Sequence, residues 1–381
     1  MTVSTRRVDH WICAVPSLAS GHHLLTEVAS DKTLWLLLQQ YADIPQKGRA
    51  LFAGTLAEKN ARYRDLHNFV RQGLTYWRAG ALISGSAAAL PYYYAFLNLA
   101  KAELLRLPIN VISGAKINHG LSYNPSGSDS IRGDHLTVQD GVFSRLVEAR
   151  TGSTIPRGTR LPVLNLLSII PEIGLEMEEF GRSRPQTIPS YHTVASDGGM
   201  AWVILALLDG RMGSREPLAR ALARHFHEVP IADLPDWRRY FAISSRSIPM
   251  NLRILQSKRT FPYGGSVDFN SAFYQAMSHV KDSLGPHASD PVAQAADFQL
   301  CHSLKKSDSY TLPVSLARYA AMFYLSSLVR YKPSALDPYR QGAQAWLMDS
   351  FSREVPLYLL SGALSGISDR TVAFEPSGFR T

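Results

Sequence analysis

The stretch PYYYAFLNLAKAELLRLP, Pro91 to Pro108, decides the fold. Tyr93, Phe96, Leu97, Ala100, Leu104 and Leu107 recur at three- and four-residue steps, the period of a helix with one apolar face. Pro91 suits a first turn, where its missing N–H costs no hydrogen bond, and Pro108 stops the run. A helix this apolar needs partners to cover it, so a mainly helical chain is expected.

Upstream, LFAGTLAEKNARYRDLHNFVRQ (Leu51 to Gln72) sets Leu56, Tyr63, Leu66 and Val70 near one side of another helix, which Gly73 closes or thins. Downstream, SGAKINHGLSYNPSGSDS is rich in turn formers and reads as a loop. DHLTVQDGVFSRL then alternates polar and apolar around Asp140-Gly141, which predicts a β-hairpin turning at that dipeptide. LPVLNLLSIIPEIGLEMEEF follows as a short helix broken at Pro171, and GMAWVILALL is a buried strand or helix by length alone. From Arg182 to Asp308 the pattern mixes the amphipathic REPLARALARHFHEV with β-like fragments. Helical spacing returns after Pro313 in LARYAAMFYLSSLVRY, which Pro333 ends, and a last helix near Tyr339 to Arg353 precedes VPLYLLSGAL.

The expected architecture is therefore mainly α (α+β): a helical bundle with a small β-hairpin insert and a less readable middle region. Its organisation is a helical region over 1–180, a middle region of uncertain fold over 181–310, and helices over 311–381 that pack on the first region. Apolar types at 45% and charged types at 19% exclude a disordered chain. Cys13 and Cys301 stand far apart with no CxxC spacing, which speaks against a disulfide scaffold or zinc ribbon and for the cytoplasm. The uncharged run between Arg78 and Lys101 is diluted by Gly80, Gly85, Pro91 and Asn98, so no membrane span is expected.

The net charge of +9 comes from 40 basic against 31 acidic side chains, with arginine outnumbering lysine three to one. Arginine holds phosphate bidentately and stacks on bases, so the excess is compatible with a nucleic-acid partner. A solvated basic surface accounts for the same charge. Gly-x-Ser-x-Gly, the Walker loop, Gly-x-Gly-x-x-Gly and His-Glu-x-x-His are all missing from the sequence, and no cofactor is implied. His22, His23 and Glu27 have ligand chemistry but no third partner in view, so no metal is expected.

Five stretches, taken in order, resemble the YaaC-like family of bacterial proteins: YYYAFLNLAKAELL (Tyr92 to Leu105), HGL (His119 to Leu121), DGVFSRL (Asp140 to Leu146), NLLSIIPEI (Asn165 to Ile173) and MFYLSSLVRYKP (Met322 to Pro333). The resemblance implies a cytoplasmic helical protein without a settled activity. The tyrosine-rich helix followed by a histidine also resembles the second helix of HEPN domains, helical bundles found in toxin–antitoxin pairs and antiviral systems.

That second resemblance implies a metal-independent endoribonuclease acting through an Arg-x4-6-His motif, and a homodimer in a bacterial defence or stress system. Arginine would hold the phosphate while imidazole, titrating near neutrality, assists the 2′-hydroxyl. Two places fit the spacing: Arg62 to His67, and Arg220 to His225 or His227. The later position favours Arg220, His225 and His227 as the catalytic candidates. The arginine of SLVRYKP also sits in a late helix, but no histidine follows it. Arg62, Arg64, His119, Arg238 and Arg239 are the candidates for nucleic-acid binding, His119 because it stands glycine-flanked after the best-defined helix. Each has a plainer role as a solvated surface group or, for His119, a loop clamp. The alternative is a non-catalytic adaptor that binds a protein partner from the same operon through apolar surface around Tyr92 to Tyr94.

Overall fold

The computed structural model describes residues 10–12, 22–25, 31–107, 118–124, 128–181, 187–207, 217–234, 252–263, 275, 279–280, 283, 290–291, 299–303, 312–369 and 371–374. The chain divides into two compact units, one of residues 29–185 and 307–372, the other of residues 1–28, 186–306 and 373–381. The chain as a whole is mainly α with a β component, the first unit helical and the second built on strands.

The helical unit runs through α1 (Asp31–Asp43), α2 (Pro45–Ala50), α3 (Leu56–Ala81), α4 (Ala89–Leu104), α5 (Val142–Thr151), α6 (Val163–Ser168) and α7 (Gly174–Glu179). It resumes with α9 (Val314–Tyr331) and α10 (Gly342–Ser368). Thr55 caps α3: its hydroxyl accepts from the Glu58 amide while the Glu58 carboxylate takes the Thr55 amide at 2.7 Å. Gly73 does not close the helix as its position suggested. A β-carbon there would lie 3.4 Å from the Ala95 carbonyl, and one at Gly80 would strike the Tyr92 ring at 2.8 Å, so both glycines let α3 lie close against α4.

The stripe foreseen on α4 is buried, Tyr93, Phe96, Leu97, Ala100 and Leu104 among it, and α3, α9 and α10 all pack on this helix. Among the described residues no helix is long and apolar enough to cross a membrane. α10 corrects the expected last helix, since it runs unbroken through Pro356 and takes in VPLYLLSGAL. An interior proline costs about 3 kcal/mol. Burial of Val355, Leu359, Leu360, Leu364 and Ile367 on both sides of it offsets that cost.

Three antiparallel strands, β3 (His119–Asn124), β4 (His135–Gly141) and β5 (Arg160–Pro162), form the small sheet of this unit. Two expectations are corrected here. HGLSYN is a strand rather than loop, and Asp140-Gly141 is not a hairpin turn but the passage from β4 straight into α5. The reason is a crossing of two chains. Gly120 (φ +81°) and Gly141 (φ +152°) meet so closely that a β-carbon on Gly141 would lie 2.3 Å from the Asn118 carbonyl.

The second unit holds an eight-stranded sheet. Its path is β11 (Asp290–Pro291), β12 (Gln299–Ser303), β6 (Thr187–Asp197), β7 (Met200–Leu207), β9 (Arg253–Ser257) and β8 (Phe226–Glu228). β1 (His10–Ile12) pairs with β6, and β10 (Phe261–Pro262) with β7. Two further strands are β2 (His22–Leu25) and β13 (Thr371–Phe374). GMAWVILALL resolves as the buried strand β7: Val203, Leu205 and Leu207 face Leu218 and Leu222 of α8 (Pro217–His225), while Trp202, Ile204 and Ala206 face Val229, Leu234 and Ile254. Apolar cover on both faces is why the strand lacks alternation.

Candidate functional site

The site assembles around His119, the first residue of β3. The Gly120–Gly141 crossing fixes its backbone, and the Val142 amide donates to the Asn118 carbonyl at 2.9 Å just beside it. Its ring lies among aromatics, with Tyr93 centred 5.6 Å away and Phe323 6.2 Å away. The Tyr93 hydroxyl, carried on buried α4, sits 2.7 Å from His119 Nδ1. One ring nitrogen is thus held and the orientation of the other follows.

Two cations act on this imidazole, Arg330 near the end of α9 and Lys101 near the end of α4. Arginine on a helix points back toward the N-terminus, and Arg330 does so: its Nε donates to the Ser326 carbonyl at 3.2 Å, within one turn of Phe323. Burial, then Arg330, then Lys101 hold His119 below the ordinary histidine value, so the ring is neutral near pH 7. Burial also lowers the Lys101 ammonium and pushes the Tyr93 hydroxyl far up, so Tyr93 keeps its proton.

The other cations of the helical core are matched. Arg318 grips Glu172 with two bonds of 3.1 and 2.6 Å, and Arg150 grips Glu103 with two of 2.8 and 2.6 Å. Arg106 pairs with Asp369 at 2.8 Å. Among the described residues no carboxylate pairs with Arg330 or Lys101. Half-buried positive charge beside a neutral imidazole, with no carboxylate paired to it among the described residues, has the chemistry to hold an anion.

The candidates from spacing do not gather. Arg220 is an exposed residue of α8, and His225, the last residue of that helix, lies about 140° round it by helical geometry, against the His279 ring at 6.0 Å. His227 falls on β8 opposite Gln256, because the helix has ended between them. Arg220 and His225 thus share α8 on different sides, His227 lies on the next strand, and Arg220 is exposed to solvent. Arg62 lies over the Phe52 ring, in the turn before α3, at 5.9 Å, and His67 Nδ1 is 2.9 Å from the Ala42 carbonyl at the end of α1, so His67 fastens α1 to α3. Arg64 is exposed on α3. Arg238, Arg239 and Glu27 lie outside the described residues, as do the side chains of His22 and His23. Among the described residues no group of three His, Cys, Asp or Glu side chains could hold a metal ion.

His119 was legible from its glycines; Arg330 was passed over because no histidine follows it in sequence, although one precedes it. Comparison with known proteins bears on the same segments. The model of a family described as YaaC-like Protein matches residues 29–365. The chain belongs to the YaaC-like family. The match takes in every element that carries the site, from α3 and α4 through β3 to α9. No curated protein and no solved structure matches this YaaC-like chain.

Proposed function

We propose that this YaaC-like protein associates with RNA through the His119 cluster and cleaves it there without a metal. The observation that carries the reading is the pair of unmatched cations, Arg330 and Lys101, acting on a neutral imidazole. In the productive tautomer Nδ1–H donates to the Tyr93 oxygen and Nε2 keeps its lone pair. Nε2 takes the proton of the ribose 2′-hydroxyl, and O2′ attacks the adjacent phosphorus. The bond to the 5′-oxygen of the next nucleotide breaks, and that oxygen gains a proton from water. The products are a 2′,3′-cyclic phosphate and a 5′-hydroxyl end, while Arg330 and Lys101 stabilise the charge that builds on the phosphorane. His119 and Arg330 replace Arg220, His225 and His227 in the catalytic roles.

The HEPN-like resemblance supports metal-independent RNA cleavage, though not this pairing of histidine and arginine, and with it a cytoplasmic homodimer in a bacterial defence or stress system. Purified protein incubated with total RNA in EDTA should produce cyclic-phosphate ends. His119→Gln and Arg330→Ala should each slow this by at least about 100-fold with unchanged circular dichroism. Intact RNA throughout, or cleavage that survives in His119→Gln, sinks the proposal.

A second reading, the non-catalytic adaptor, is favoured by one observation. Leu82 and Ile83, in the turn after α3, are 89% and 42% exposed. The contact imagined at Tyr92 to Tyr94 suits it less well, since Tyr93 is wholly buried and its neighbours half so. An adaptor would bind a stoichiometric protein partner and lose it in Leu82→Asp, with RNA left uncut.

A further inference from the structure

α3 and α4 run antiparallel, and two cross-pairs line one side of their seam. Tyr76 stacks on Tyr94 with ring centres 5.4 Å apart and planes 30° apart. Lys101 holds its ammonium over the Phe69 ring at 5.8 Å. Phe69 and Tyr76 are seven residues apart on α3, as are Tyr94 and Lys101 on α4, so each pair of positions shares a face and the two rungs are about 10.5 Å apart. The core face of α3 is different: Leu66, Val70, Leu74 and Trp77 are buried there, while Tyr76 remains 39% exposed. The aromatic run also leads inward. Tyr94 meets Tyr93 at 5.8 Å, and Tyr93 meets His119 at 5.6 Å.

We infer that this seam is a track for single-stranded RNA, with a base stacked on the Tyr76–Tyr94 pair and a phosphate taken by Lys101 and Arg330. The inference rests on the His119 reading and names its substrate class. Tyr76, stacked on Tyr94 yet 39% exposed, accepts any unstacked base, and Lys101, one rung away, accepts the backbone together with Arg330 of α9. About 10.5 Å corresponds to about three nucleotides at a stacked rise of about 3.4 Å, so one strand reaches from the stacking rung to the charged one. A duplex has no free base face to offer, and its bases stay out of reach of Tyr76.

The test uses the full chain and a fluorescein-labelled uridine RNA, free or annealed to its complement, read by anisotropy at fixed salt. Tyr76→Ala should weaken the single strand by about 5- to 100-fold, the range for loss of one stacked base. Tyr76→Phe should stay within about twofold of the parent, because it keeps the ring. Arg330→Ala should weaken binding as well. If Arg330→Ala weakens binding and Tyr76→Ala does not, or if the duplex binds as tightly as the single strand, the track is overturned and the His119 site stands. If neither substitution matters, both ideas fall. Melting curves for Tyr76→Ala and Tyr76→Phe separate lost stacking from lost folding.

Discussion

α9 carries one arginine near each end, and the two live differently. Arg318 is 2% exposed, gripped by Glu172 through two bonds and laid over the Tyr358 ring at 5.0 Å. Arg330 is half-exposed, bonded to its own helix at Ser326 and laid over the Tyr331 ring at 5.0 Å, and its charge acts on His119 with no carboxylate paired to it among the described residues. Burying a guanidinium costs several kcal/mol unless a carboxylate and further bonds compensate. The inner end of the helix meets that demand completely, and the outer end leaves its charge uncompensated. The difference separates a charge that shapes the fold from one that, under the proposed function, takes a phosphate.

The comparison breaks first at the inner end. Arg318→Ala should cost about 3–5 kcal/mol in urea unfolding, because it strands the Glu172 carboxylate in the core. The double change Arg318→Met with Glu172→Leu should recover most of that loss, since it removes both charges and fills the volume. A single variant that melts like the parent would show the pair to be ornamental.

Midway along the same helix, Tyr324 donates to buried Asp134 at 2.6 Å, where Tyr123 also donates at 2.8 Å. Tyr324→Phe leaves that carboxylate short of one donor and should cost about 1–3 kcal/mol, measured the same way. Arg330→Ala comes third and should shift stability by no more than about 0.5 kcal/mol while affinity for RNA collapses. A loss as large as that of Arg318→Ala would erase the distinction between the two ends.

How much of this was legible follows from which forces are local. The stripe on α4, the stop at Pro333 and the break at Pro171 are periodic or covalent signals, and the structure honours them. The sheet of the second unit was not legible, because β7 is covered on both faces and so lacks alternation, and it finds β9 only after the intervening α8 and β8. Pro356 misled because burial around α10 outweighs a local penalty. At the candidate site a glycine marks His119, whereas the spacing of Arg220 to His225 does not say which side of α8 each takes. Spacing presumes that both groups share one helix; here the imidazole and its cations come from β3, α4 and α9, and only the tertiary fold joins them.

The smallest expected effect is the most direct reading of the outer end. His119 titrates below the ordinary histidine value, with burial the largest cause, Arg330 the next and Lys101 the third. A base whose folded value is depressed binds fewer protons folded than unfolded in the window between the two values. His119 therefore contributes stability that is complete above the ordinary value of about 6.5 and declines as pH falls through it toward the folded value. Arg330→Gln removes one positive neighbour without opening the site, so the His119 midpoint in an NMR titration should rise. Lys101→Gln should raise it by less. Neither should restore the ordinary value, because burial remains. A bound phosphate should raise the midpoint further than either substitution, since an anion between Arg330 and Lys101 favours the imidazolium directly. If the midpoint ignores Arg330→Gln, the guanidinium does not face the ring, and the outer end of α9 carries an ordinary surface charge.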